Sequence, residues 1–108
     1  MSQELERLER LYLDARYSCT ALQAVEARRL GREKTRRLKE ALDQLCLELR
    51  SILREAGRDR VSTVFPRELL AKPRGELHSL CRGSAEKLLR ETGSKAAKMI
   101  LEALRELE

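Results

Sequence analysis

The first thirty residues carry apolar side chains at helical spacing. Leu5, Leu8, Tyr12, Ala15, Cys19 and Leu22 follow one another at intervals of three and four. That spacing stacks side chains on one face of an α-helix, where they can meet a second helix. Leu11, Ser18 and Val25 widen the stripe. The pattern predicts one long helix over residues 2–30. A second stripe, Leu38, Leu42, Leu45, Leu49, Ile52 and Ala56, predicts another over 38–56.

The two stripes do not belong to one continuous helix. Extending the first register forward lands on Glu33, Arg36, Glu40 and Asp43, all polar, and residues 31–37 hold no apolar side chain. Gly31 tolerates the positive φ that commonly ends a helix. A turn is therefore expected at Gly31–Glu33, with the helices folding back as an antiparallel hairpin. In such a hairpin the numbers of facing residues have a nearly constant sum. Leu22 with Leu42, Ala15 with Leu49, Leu8 with Ala56, Tyr12 with Leu53 and Cys19 with Cys46 all give 64 or 65, a centre near residue 32. The same pairing brings Cys19 close to Cys46. They are read either as two small buried thiols, the favoured reading, or as a disulfide locking the hairpin.

Gly57 ends the second helix, and 58–73 reads as irregular. Val61-Ser62-Thr63-Val64-Phe65 is β-branched and extended, too short to form a sheet alone; it is expected to lay Val64 and Phe65 onto the hairpin. Pro66 suits the start of a short helix over 67–71, and Pro73 stops it. A further short helix is expected over 76–82, closed by Gly83 and followed by Ser84 as a new cap. From Ser84 onward, Ala85, Leu88, Leu89, Ala96, Met99, Ile100, Ala103, Leu104 and Leu107 predict C-terminal helix. It is either continuous through Gly93 or, as preferred, broken there with Ser94 as cap. The expected fold is all-α: one domain over 1–108, a bundle of four to six helices built on the N-terminal hairpin and closed by the C-terminal segment.

Composition agrees with this pattern. Charged residues make up 38% of the chain and aromatics 3%, with Leu supplying most of the apolar mass. Such a mixture favours helix. The chain lacks Asn and has three Gln, an amide-poor, Arg-rich bias like that of heat-stable proteins. Its opening residues are charged, and no apolar run reaches the roughly 18 residues of a membrane span. A cytoplasmic location without membrane contact is expected.

Charge then singles out one place. The net charge is +5 overall, yet residues 28–39 alone carry +6: Arg28, Arg29, Arg32, Lys34, Arg36, Arg37 and Lys39 against the single acid Glu33. Elsewhere acids and bases interleave. Arg dominates this segment, and its planar fork matches phosphate oxygens. The bland alternative is a solvated turn whose cations complement a helix end. A second scatter, Arg58, Arg60, Arg67, Lys72, Arg74 and Arg82, is diluted by Asp59, Glu68 and Glu76. It adds weight only if the fold brings it to the same side as the tip.

Other chemistry is thin. His78 and Cys81 share a helical face, but two ligands do not make a zinc site, and no orienting group completes a Cys–His nucleophile. No glycine loop or carboxylate cluster suggests a cofactor, a metal or a small-molecule substrate. Ser84 to Leu107 has a helix-turn-helix outline, but Leu89, Thr92 and Ser94 depart from its usual residue types. The leading expectation is a non-enzymatic protein that binds nucleic acid, DNA or RNA, through phosphate contacts at Arg28–Lys39. The alternative is a helical scaffold that binds protein only. The length of the first helix, roughly 43 Å at 1.5 Å per residue, suggests that the hairpin stripe outruns its cover. That points to a homo-oligomer or a place in a larger complex.

Overall fold

A computed structural model describes residues 2–58 and 64–107 of the chain. It contains four α-helices and no strand among those residues: α1 (Ser2–Leu30), α2 (Arg32–Glu55), α3 (Arg74–Thr92) and α4 (Lys95–Leu107), with a 3-10 turn at Arg67–Ala71. The all-α hairpin architecture expected from the stripes is present, and the molecule measures 42 × 26 × 20 Å. Its long dimension is about that of α1.

Gly31 alone separates α1 from α2. It adopts φ 90°, ψ 169°, a region essentially closed to residues with a Cβ. The turn is thus one residue long, not the predicted Gly31–Glu33, and α2 begins well before its expected start at Leu38. Polar residues 32–37 include neither Gly nor Pro and are intrinsically able to form helix; the apolar stripe marked only where α2 becomes buried.

The four helices form a square in which every neighbouring pair is antiparallel. α1 packs on α2 and α3, and α4 packs on α2 and α3. Along α1 and α3, Cys19 bonds Cys81, Glu26 meets Arg74 and Arg7 pairs with Glu91. Along α2 and α4, Arg37 meets Glu106 at 2.9 Å, and Glu48 accepts from the Ala96 N–H at 2.9 Å. Residue 58, at the far end of the bundle, and residues 64–73, which lead to the Gly31 end, lie along α1. Arg58 pairs with Glu9, and Phe65 meets Tyr17 edge-on at 5.6 Å. One long crossover of this kind is a known way to connect four-helix bundles. Val64 does not join the packing, being 88% exposed, whereas Phe65 is half-buried as expected. Val61, Ser62 and Thr63 of that extended segment lie outside the described residues, as do Asp59 and Arg60.

α3 is longer than its sequence suggested. It runs through Gly83 instead of stopping there, because Leu77, Cys81, Ala85 and Leu88 make one buried stripe across it. That burial outweighs the roughly 1 kcal/mol that a mid-helix glycine costs. Gly93, by contrast, does break the chain: it takes the left-handed φ of 69°, and Ser94 caps α4 by accepting from the Ala97 N–H at 3.1 Å.

The core is aliphatic. Leu22, Leu38, Leu45, Leu53, Leu77, Leu88, Ile100 and Leu104 are almost fully enclosed, each contributing about 1.5–3 kcal/mol of transfer free energy. α3 and α4 cover the hairpin stripe at Tyr12, Ala15, Cys19 and Leu22. The exposed large apolar side chains among the described residues, Leu47, Val64, Leu70 and Leu80, are scattered over different elements. An oligomer therefore no longer follows from an uncovered stripe.

The cysteine pairing also differs from expectation. Cys19 is joined to Cys81, Cα to Cα 4.7 Å, and Cys46 is a half-buried free thiol. Cys19 and Cys46 do not form the candidate disulfide, nor is Cys19 a buried thiol. The hairpin stripe faces two partner helices rather than one, and Cys19 turns to α3. With Cys81 committed to that bond, no thiol remains beside His78.

Candidate nucleic-acid interface

The seven cations of the tip lie on helix ends, not in a loop. Arg28 and Arg29 occupy the last turn of α1, where they complement the negative end of its dipole. Arg32, Lys34, Arg36, Arg37 and Lys39 occupy the opening turns of α2, where they do the opposite. Cations gathered at the positive end of a helix, with no side-chain cap at Gly31 and Glu33 as the one first-turn acid, raise the local potential at a cost in helix stability. Local rules broken in this way tend to mark function.

All seven are exposed. Three have carboxylate partners: Arg29 with Glu26 at 3.0 Å, Arg36 with Glu40 at 3.5 Å and Arg37 with Glu106 at 2.9 Å. Arg28, Arg32, Lys34 and Lys39 have no ion pair among the described residues. Arg32, Arg36 and Lys39 line a shallow cleft between α1 and α2 with Gln23, Ala27, Glu33 and Thr35. Thr35 is buried and donates back to the Gly31 carbonyl at 3.1 Å, tying the first turn of α2 to the hinge.

The crossover adds α3 to this end of the bundle. Arg74 opens α3, and its guanidinium donates to Glu26 Oε2 at 3.1 Å. Glu26 is completely enclosed and also receives Arg29 through both oxygens, at 3.0 and 3.2 Å. One buried carboxylate thus holds two arginines, from different helices, each still partly exposed. Burial opposes the charge on Glu26. Hydrogen bonds from Arg29 and the nearby Arg74 charge more than compensate and hold its carboxyl below the ordinary range. Glu26 in turn raises the Arg29 pKa by hydrogen bonding.

Beside this clamp is a cleft of about 680 Å³ lined by Arg29, Leu30, Lys34, Arg74, Gly75, His78, Ser79, Arg82, Glu106 and Leu107. His78 Nδ1 lies 3.4 Å from Arg82 Nη2. Its Nε2 is enclosed with no hydrogen-bond partner among the described residues. No family model matches the chain, and neither a curated protein nor a solved structure matches it.

Half of the second basic scatter stays apart from this cleft. Arg58 pairs with Glu9 and Lys72 with Glu76, while Arg67 is exposed on the crossover. Arg74 and Arg82 join the tip. Glu26 was not singled out in the sequence, although a signal was there. It occupies the next position of the α1 stripe, four residues after Leu22, and a carboxylate on a buried face needs cationic partners.

Proposed function

We propose that the protein binds nucleic acid without catalysing a reaction, alone or as a subunit of a nucleoprotein complex, through the basic end around Gly31. The observation that carries this reading is the gathering of Arg74 and Arg82 from α3 beside Arg29 and Lys34. Arg28, Arg32 and Lys39 lie at the same end. Phosphate contacts by such groups supply affinity with little sequence information. The aromatic side chains are elsewhere: Tyr12 is buried, and Tyr17 and Phe65 pack on each other along the body of α1. With no stacking platform beside the cations, recognition rests on the backbone.

No helix among the described residues is long and apolar enough to cross a membrane. A cytoplasmic setting belongs to this proposal together with an oxidised Cys19–Cys81 pair, a combination found in heat-adapted cells. The test is binding to labelled DNA and RNA over a range of salt. Affinity should fall steeply, log K declining linearly with log salt in proportion to the phosphates neutralised. Absence of binding at low salt to both polymers would overturn the reading in favour of a protein-only scaffold.

A further inference from the structure

Resting on that reading, we infer that the cleft between the Gly31 end of the hairpin and the start of α3 receives a terminal phosphate, the phosphomonoester at the end of a nucleic-acid strand. The charges around it are Arg29, Lys34, Arg74 and Arg82, set against Glu106 at the rim and the buried Glu26. Among the described residues cations outnumber carboxylates here, with Arg37 beside Glu106 included. A phosphomonoester carries about −1.5 to −2 near pH 7, whereas an internal phosphodiester carries one charge.

Geometry favours the same ligand. The two guanidiniums are oriented before any ligand arrives: Glu26 grips Arg29 through both oxygens and Arg74 through one. Arginines held in this way lose little further freedom on binding phosphate. Glu106 is itself engaged by Arg37, which limits its repulsion of an anion. Gly75 forms part of the wall, and the space a Cβ would take there is open, so a ligand oxygen can approach the backbone. A strand end, with chain on one side only, can enter a concavity. An internal phosphate brings nucleotides on both sides and would have to lie across the cleft.

The test compares two short single strands of one sequence, labelled at the 3′ end and differing only in a 5′-phosphate or 5′-hydroxyl, by fluorescence anisotropy with the oxidised, full-length protein. The phosphorylated strand should bind roughly tenfold tighter or more, the worth of one or two charge-assisted hydrogen bonds. Inorganic phosphate should erase the difference before it displaces the hydroxyl strand. Two variants separate an oriented clamp from simple charge. Glu26→Gln raises the net positive charge, so electrostatics alone would tighten binding of both strands; the clamp requires the preference to shrink to about twofold or less. Arg74→Lys keeps the charge on an exposed side chain and should also remove the preference, and it decides the matter if Glu26→Gln does not fold. Equal binding of the two strands by the wild type overturns this inference and leaves the nucleic-acid reading standing. Binding of neither strand overturns both. A preference that survives both substitutions overturns the clamp.

Discussion

Cys19 of α1 is bonded to Cys81 of α3, two helical turns from the point where Glu26 of α1 meets Arg74 of α3. Both pairs lie on one antiparallel seam, seven residues apart on each helix. The covalent bond and the buried ion pair therefore specify the same register, and that register carries Arg74 and Arg82 to the basic end.

Breaking the bond should cost stability. It closes a sequence separation of 62 residues, for which the chain-entropy model gives about 4 kcal/mol. Urea unfolding with and without reductant, or of the Cys19→Ala/Cys81→Ala double variant, measures this. The unfolded, unreduced protein should titrate one thiol, Cys46, and the reduced protein three. Three thiols before reduction would exclude the bond.

Glu48 joins three helices. It accepts from Tyr12 Oη at 3.0 Å, Ser94 Oγ at 2.6 Å and the Ala96 N–H at 2.9 Å, with Gln44 at 3.3 Å. Burial disfavours its charge, but the bonds from Ser94, Ala96, Gln44 and Tyr12 prevail and lower its pKa. Burial, together with the same carboxylate, raises the pKa of Tyr12. Glu48→Ala leaves these donors without their acceptor and should cost about 2 kcal/mol, read from the shift in the urea midpoint.

Glu48 and Glu26 also make stability depend on acid. Both have folded pKa values below their unfolded ones, so the unfolded chain binds more protons in the interval between. Their contribution is complete above the unfolded carboxylate value of about 4.3 and is lost as pH falls through the lower folded value. Urea midpoints should drop below that pH, and the drop should be smaller in Glu26→Gln and Glu48→Gln. An unchanged acid profile in both variants would refute the assignment.

Two glycines should respond to alanine with opposite signs. Gly31 stands at φ 90° and ψ 169°, so Gly31→Ala should destabilise by about 1–3 kcal/mol. Gly83 lies inside α3 with open space where an alanine methyl would sit, so Gly83→Ala should stabilise by about 0.5–1 kcal/mol. Thermal melts of the two variants provide the comparison.

Within the basic end, pairing should rank the cations. Replacing Arg28, Arg32, Lys34 and Lys39 by Gln should flatten the salt dependence of nucleic-acid binding, by up to about 0.9 in slope per lost contact on duplex DNA. Replacing Arg36 and Arg37, already engaged by Glu40 and Glu106, should flatten it less. The reverse order would place the contact surface elsewhere.

Local pattern made several elements legible. The stripes from Leu5 to Leu22 and from Leu38 to Ala56 announced α1 and α2, and Gly93 with Ser94 announced the break before α4. Each depends on side chains three or four residues apart, or on one backbone position, and such signals survive in a linear sequence. Gly83 misled because propensity is a weak force beside burial: a stripe from Leu77 to Leu88 carried the helix through it.

By itself, then, the sequence determined α1, the buried stretch of α2, the hairpin about Gly31, the break before α4 and the concentration of positive charge at residues 28–39. Tertiary structure alone decided how α3 and α4 met the hairpin. It turned Cys19 toward Cys81 instead of Cys46, enclosed Glu26, and brought Arg74 and Arg82 beside Arg29 and Lys34. The reason is that periodicity tells which face of a helix is apolar but not its partner. In a four-helix square each helix meets two neighbours, and the place where α3 starts, with Arg74 beside Glu26, selects the second.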